Sequence, residues 1–253
     1  MKYNWNWRIF WELAPDASGT YFSTLISGLI WTIATALSAW IIALAVGAIV
    51  GTLRTTPLPW VVRLTTAYVE LFRNIPLLVQ MFLWFFVLPE LVPQALGDAI
   101  KQMPPPWASF VPAVLCLGIY TSVRIAEQVR AGIQSLPRGQ SMAGMALGLT
   151  LPQTYRYVLL PMTFRIMLPP LTSEFMNIIK NSAVALTIGL LELTARARSM
   201  QEFSFQVFEA FTGATVIYIF LNIVVVLSMR SLEKQVQVPG YIGTGAGAPL
   251  AGH

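Results

Sequence analysis

The chain has 253 residues, of which 56% are hydrophobic and only 11% charged. Soluble domains carry about 25% charged residues, so this composition excludes a water-soluble globular protein and fixes an integral membrane protein. The net charge of +5 does not argue for nucleic acid, because the basic residues are spread along segments that flank apolar runs instead of forming one patch.

The opening stretch, MKYNWNWRIFWELAPD, has neither a clean apolar core behind a basic start nor a small-residue cleavage site, so no removable signal peptide is expected. Trp5, Trp7 and Trp11 suit a short amphipathic segment, residues 1–22, lying on the outer face of the membrane. A bilayer core takes about 20 apolar residues per helix. Five runs approach that length, at 25–53, 61–88, 111–133, 168–191 and 208–229. In the first, Gly47 and Gly51 form a small-xxx-small step that permits close helix crossing, within the chain or between two chains. Between the second and third, Pro104, Pro105 and Pro106 predict a rigid outer connection. In the fourth, Pro169 and Pro170 break the start, and Glu174, Lys180 and Asn181 lie within it. Such residues are tolerated at membrane depth only beside protein or water, so this run is expected to face a cavity or the bundle interior.

The third run leads into a polar insert, residues 127–161, with Arg130, Arg138 and Arg156, the small residues Ala143, Gly144, Ala146 and Gly148, and two prolines, Pro152 and Pro161, read as helix stops. Its first residues continue the span, and only the part from Gln134 onward is free to dock another surface. The tail, 237–253, is rich in glycine and alanine and is expected to be disordered; it lacks the Gly-Lys-Ser/Thr ending of a phosphate loop, so it holds no nucleotide. One cysteine, Cys116, and one histidine, His253, allow neither a disulfide within the chain nor a metal site. Five spans put the two ends on opposite sides. With the insert and the C-terminus inside, eight Lys/Arg lie inside and five outside, which orients the N-terminus outside and the C-terminus in the cytoplasm.

Setting aside Arg63, Arg130 and Glu209 near the run ends, six charges fall within the runs: Glu70, Arg73, Arg124, Glu127, Glu174 and Lys180. Each costs on the order of 3 kcal/mol at the bilayer centre, so unpaired, lipid-facing positions are unfavourable. Glu70 and Arg73 are three apart, as are Arg124 and Glu127, which sets each pair on one helical face. Arg124, behind the apolar run VPAVLCLGIYTSV, presents a planar fork suited to a carboxylate. Lys180, Asn181 and Ser182 add a second cation and several donors. Two cations in one cavity imply an anionic or zwitterionic ligand; the bland alternative is that Glu127 neutralises Arg124 and Glu174 neutralises Lys180. Ser182 and Lys180, two apart on a helix, do not face each other, and no other catalytic constellation occurs.

The insert resembles the coupling segment of ABC-importer permeases, a Glu-Ala-Ala, three residues, Gly, nine residues, Ile, one residue, Leu-Pro pattern. It is met by Met142, Ala143 and Gly144, then Gly148, Val158, Leu160 and Pro161. The spacing holds, while Met142 stands for the Glu, Gly144 for the second Ala and Val158 for the Ile. The stretch from Glu70 through Phe72, Arg73, Asn74 and Pro76 to Gln80, and Lys180-Asn181-Ser182, are similar to signatures of the polar amino-acid importers. Trp5-Asn6-Trp7, Pro89-Glu90-Leu91, Glu127-Gln128-Val129-Arg130 and Pro170-Leu171-Thr172-Ser173-Glu174 resemble the glutamate/aspartate permeases in particular.

The resemblance implies an all-α type I permease of about five transmembrane helices, residues 23–236, in a bacterial inner membrane. Its cytoplasmic coupling loop, residues 134–161, sits in a groove of a separate ATPase subunit through Arg138, Gly139, Met142, Ala143, Gly144, Leu147, Gly148, Leu160 and Pro161. Implied partners are a second permease, two ATPases that carry the ATP and Mg, a periplasmic binding protein and an acidic or amide amino acid. Candidate substrate contacts are Arg124, Glu127, Lys180, Asn181, Ser182, Glu70, Arg73 and Asn74. With the template's Glu absent, Arg138 and the apolar side chains of Met142, Met145 and Leu149 are expected to carry more of the ATPase contact. A proton-coupled secondary transporter or channel for small anions, using Arg124 and Glu127, is the alternative reading.

Overall fold

A computed structural model describes residues 3–15 and 19–236. The expected disordered tail lies outside these residues. Nine helices are named here in chain order: α1 (Tyr21–Leu53), α2 (Pro59–Arg73), α3 (Leu77–Leu91), α4 (Gln94–Lys101), α5 (Trp107–Ser135), α6 (Arg138–Ala146), α7 (Leu151–Ile188), α8 (Leu193–Ser204) and α9 (Val207–Val236). A single 3-10 turn at Trp7–Trp11 precedes them. No strand occurs among the described residues. Three helices, α1, α5 and α9, are long and apolar enough to cross a bilayer, and α2 with α3 and α7 with α8 form two bent pairs that bring the total to five.

The core is built where small residues recur every third or fourth position. Along α1 a buried stripe runs Gly28, Thr32, Ala36, Ala39, Ala43, Gly47 and Gly51, spacing that keeps one helical face free of bulk. The face meets α5. A methyl group on Gly47 would stand 2.7 Å from Ile125, and one on Gly51 would stand 2.6 Å from the Ala126 carbonyl oxygen. Of the two readings of Gly47 and Gly51, the structure therefore gives close crossing inside one chain. The centre of the bundle is α5, buried from Pro112 to Ile133 on the side it turns to α1 and α7.

The second predicted span is not one helix. It bends by 101° between α2 and α3 at Asn74, Ile75 and Pro76. Pro76 has no N–H and disfavours helical backbone at Ile75, so the helix must stop before it. Gln80, buried on the next turn, donates its amide to the carbonyls of Phe72 (2.8 Å) and Ile75 (3.0 Å), which the break leaves without helical partners. The Asn-Ile-Pro signature and its Gln80 are thus an elbow and its clamp.

Prolines elsewhere act opposite to their predicted sense. Pro152 and Pro161 were expected to stop helices, yet Pro152 lies in the first turn of α7 and Pro161 follows a π-turn at Tyr155–Leu159 within the same helix. At a first turn the missing N–H costs nothing, and a π-turn already displaces the ladder. Pro169 and Pro170 sit inside α7 without ending it. Where α7 does end, Gly189 takes the left-handed conformation (φ 84°) and the chain turns 51° into α8. Buried Glu192 caps α8 by accepting the N–H groups of Thr194 (2.9 Å) and Ala195 (2.7 Å), and it accepts the Tyr218 hydroxyl of α9 at 2.9 Å. A second buried carboxylate, Glu209, grips the N-terminal segment through the Tyr3 hydroxyl and the Asn6 N–H, so the Trp-Asn-Trp stretch is held against α9.

Candidate functional site

Substrate-sized space opens beside the elbow. A cavity of about 610 Å³ is lined by Phe72 and Arg73 at the end of α2 and by Tyr120, Val123, Arg124, Glu127 and Gln128 on α5. The α5 residues recur at three and four positions, so one face of one helix supplies most of the wall. Arg124 is held from below: its Nη2 donates to the Tyr120 hydroxyl at 2.8 Å, and its guanidinium carbon lies 4.9 Å from the Tyr120 ring centre. The fork keeps access to the cavity, with 41% of the side chain exposed.

Three of the eight expected substrate contacts, Arg73, Arg124 and Glu127, meet in this cavity. Glu70 and Asn74 flank the elbow on the exposed side, where the Asn74 amide donates to the Glu70 carbonyl at 2.7 Å. Lys180 is exposed on α7, Asn181 is half-buried beside it, and Ser182 is buried with its hydroxyl donating to the Ile179 carbonyl at 2.8 Å. None of these five lines the cavity.

The ion pairs differ from those read off helical spacing. Glu127 was matched with Arg124, but its Oε1 accepts from Arg54 at 2.7 Å, and the Arg54 side chain, at the end of α1, is only 3% exposed. Arg124 instead faces Glu174 of α7 at 3.5 Å, and Gln128 donates to the same carboxylate at 3.4 Å. Glu174 is therefore turned to Arg124 and not to Lys180. Among the described residues neither Glu70 with Arg73 nor Lys180 with any acid forms an ion pair. Spacing along a helix allows a pair but does not choose it, and here the partner on the neighbouring helix is nearer or better buried. Among the residues that line the cavity, two cations, Arg73 and Arg124, stand against one carboxylate, Glu127. The residual charge is positive. Sequence reasoning missed Arg54, counted as a loop charge, and Tyr120 and Gln128, which lie four residues either side of Arg124.

Beyond the C-terminal end of α5 the polar insert folds as α6 and the first turns of α7. After α6, Leu147 is the last cap residue and Gly148 turns left-handed at φ 84°. Its N–H donates to the Met145 carbonyl (2.9 Å) and the Leu149 N–H to the Gly144 carbonyl (3.1 Å), the paired bonds of a Schellman ending. The pattern's glycine is thus the helix stop. Gly144 is buried against Thr154, leaving 3.2 Å between that side chain and a methyl placed on Gly144. Arg138, Gly139, Met142, Ala143, Met145 and Leu147 are exposed, Leu149 is half-buried, and Leu160 and Pro161 lie further along α7. The loop from 134 to 161 contains no Asp or Glu, so its exposed surface is apolar with basic points. Replacing Gly148 with Ala is expected to cost about 1 kcal/mol of local stability, from the left-handed backbone alone. The check is transport rate at unchanged expression, which should fall for Gly148→Ala.

Comparison with known proteins places this geometry. Residues 43–238 match the family of binding-protein-dependent transport system inner membrane components. The glutamate/aspartate import permease protein GltJ of Escherichia coli (strain K12) is 48% identical over 244 residues, covering 96% of this chain and 99% of the relative. A crystal structure of an amino acid ABC transporter with histidines superimposes with a TM-score of 0.71 at 29% identity, covering 85% of this chain and 95% of the other. The inward-facing methionine ABC transporter MetNI shares the fold, with a TM-score of 0.70 over 86% of this chain and 98% of that one at 20% identity. These matches favour the ABC-importer reading over a proton-coupled transporter. With its bent spans, its Schellman-stopped polar insert and this similarity over most of its length, the chain belongs to the family of binding-protein-dependent transport system inner membrane components and is a membrane-spanning permease subunit, not an enzyme.

Proposed function

We propose that the chain is a permease subunit importing acidic amino acids, glutamate and aspartate, by ATP-driven alternating access. The observation that carries the substrate class is the cavity in which Arg73 and Arg124 face open space while Glu127 is already committed to Arg54. The Arg124–Glu174 contact spans 3.5 Å without a hydrogen bond, and Gln128 donates to the same carboxylate, so an incoming carboxylate can displace it from Arg124. The likeness to GltJ, which is named for both substrates, supports the same class.

In this reading the chain works with a second permease, two ATPases and a periplasmic binding protein. ATP and Mg act on the ATPases. The outer segment 1–22 and the transmembrane domain 23–236 are oriented with the N-terminus outside and the C-terminus in the cytoplasm, so the loop 134–161 meets an ATPase. Arg138, Met142, Met145 and Leu147 supply its contact, as the absence of acid in the loop favours. Glu70, Asn74, Lys180, Asn181 and Ser182 then act outside the cavity seen here, at the elbow and along α7. Reconstituted with these partners in liposomes, the protein is expected to accumulate glutamate only with hydrolysable ATP inside and binding protein outside. Accumulation driven by a proton gradient with no ATPase present would overturn the proposal.

A further inference from the structure

A chain of direct contacts runs from the docking helix to the cavity wall, and it passes through a turn the family reading leaves without a role. Gly144 of α6 packs on buried Thr154. The next residue, Tyr155, opens the π-turn of α7 and donates its hydroxyl to the carbonyl of Thr55 at 2.7 Å, a hundred residues earlier in the chain. Thr55 follows Arg54, whose buried guanidinium holds Glu127 at 2.7 Å in the wall of the cavity, one turn from Arg124. The end of α1 is therefore bonded on one side to the segment that follows the docking helix and on the other to the substrate cavity. A π-turn shifts the helix ladder by one residue, and it is this turn that presents Tyr155 to Thr55.

Resting on the permease reading above, we propose that Tyr155 and Arg54 are positioning residues that transmit movement of the docking helix to Glu127, so that ATPase closure reshapes the cavity. Besides the bond to the Thr55 carbonyl at 2.7 Å, the Tyr155 hydroxyl lies 3.1 Å from the Thr55 hydroxyl, so the side-chain part of the link can be deleted separately from the main-chain part. Tyr155→Phe deletes both contacts with little change of volume; Thr55→Ala keeps the shorter bond to the carbonyl and loses only the hydroxyl contact. Arg54→Lys retains one donor to Glu127 but loses the planar fork.

The test uses the assembled transporter in liposomes and reads amino acid moved per ATP hydrolysed. Tyr155→Phe is expected to lower this ratio about fivefold, within the range found for residues that couple distant sites. The KM for ATP should not move, and the Thr55→Ala variant, which keeps the carbonyl bond, should lose much less of the ratio than Tyr155→Phe. Arg54→Lys should fall between the parent and Tyr155→Phe. A parental ratio in Tyr155→Phe, or an equal loss in Thr55→Ala, overturns the proposal. If Tyr155→Phe does not yield an assembled transporter, the decision rests on Arg54→Lys, where an unchanged ratio overturns it and a reduced one with unmoved KM upholds it. Failure of the parent protein to couple uptake to ATP would instead refute the permease reading itself.

Discussion

Replacing Arg124 with glutamine is expected to lower the apparent affinity for glutamate and aspartate by about 30-fold, equivalent to about 2 kcal/mol at tenfold per 1.4 kcal/mol. Losing a charge-assisted bond to a carboxylate costs about 2 to 5 kcal/mol when the partner is left buried and unpaired. The lower end applies because 41% of the Arg124 side chain is exposed, so water screens part of the interaction. Arg73, also in the cavity, retains some attraction for an anion. The distinctive result is selectivity. Glutamine presents an amide at the same place, so its transport should change far less than that of glutamate in the variant. Concentration-dependent uptake of both substrates, at matched amounts of assembled transporter, measures this directly. An equal effect on the acid and the amide would mean that Arg124 holds the fold or the ligand's common backbone and does not read the side chain.

Introducing a β-branched side chain at Gly51 is expected to have the largest effect on the protein itself. Even the first added carbon would stand 2.6 Å from the Ala126 carbonyl oxygen and 2.6 Å from the Val129 Cβ. Neither is the free end of a flexible chain, so α1 and α5 must separate. Overpacking of this kind costs about 1 to 3 kcal/mol, and the backbone obstacle puts Gly51→Val at or above about 3 kcal/mol. The same displacement would move Arg54, three residues on, away from Glu127. The temperature at which purified protein loses its monodisperse elution peak should drop by several degrees relative to the parent. A midpoint equal to the parent would show that the two helices are not packed as closely as described.

Much of this architecture is legible in the sequence because its physics is local. Run lengths identify spans, and the Gly47 and Gly51 step foretells a close crossing. The spacing of Ala143, Gly148, Leu160 and Pro161 resembles the family's coupling pattern, and the left-handed turn at Gly148 explains why a glycine stands there. Proline carries a local signal with two opposite meanings. Pro76 ends α2, while Pro152 opens α7 and Pro169 and Pro170 pass within it; which applies depends on where the neighbouring carbonyls find partners.

The site was legible in outline only. Arg124 as a cavity cation is read from its depth in an apolar run, and Arg124 is among the residues that line the cavity beside the elbow. Its partner does not follow. Glu127, three residues away, is on a compatible face, yet Arg54 arrives from another helix in a buried position and takes it. Glu174 reaches Arg124 from α7 by the same three-dimensional route. Lys180, Asn181 and Ser182 read as a polar cluster suited to ligand, but α7 turns Ser182 inward to its own backbone and leaves Lys180 exposed. Pairings between helices depend on rotation and crossing angle, which a linear pattern does not encode.

Direct observation of substrate in the assembled transporter tests the central claim most sharply: that the residual positive charge beside the elbow receives an acidic side chain. In a structure of the complex with glutamate bound, a ligand carboxylate is expected within hydrogen-bond distance of Arg124, with Glu174 withdrawn from it and Glu127 still on Arg54. A structure in which Arg124 keeps Glu174 while glutamate binds elsewhere along the path would contradict the account.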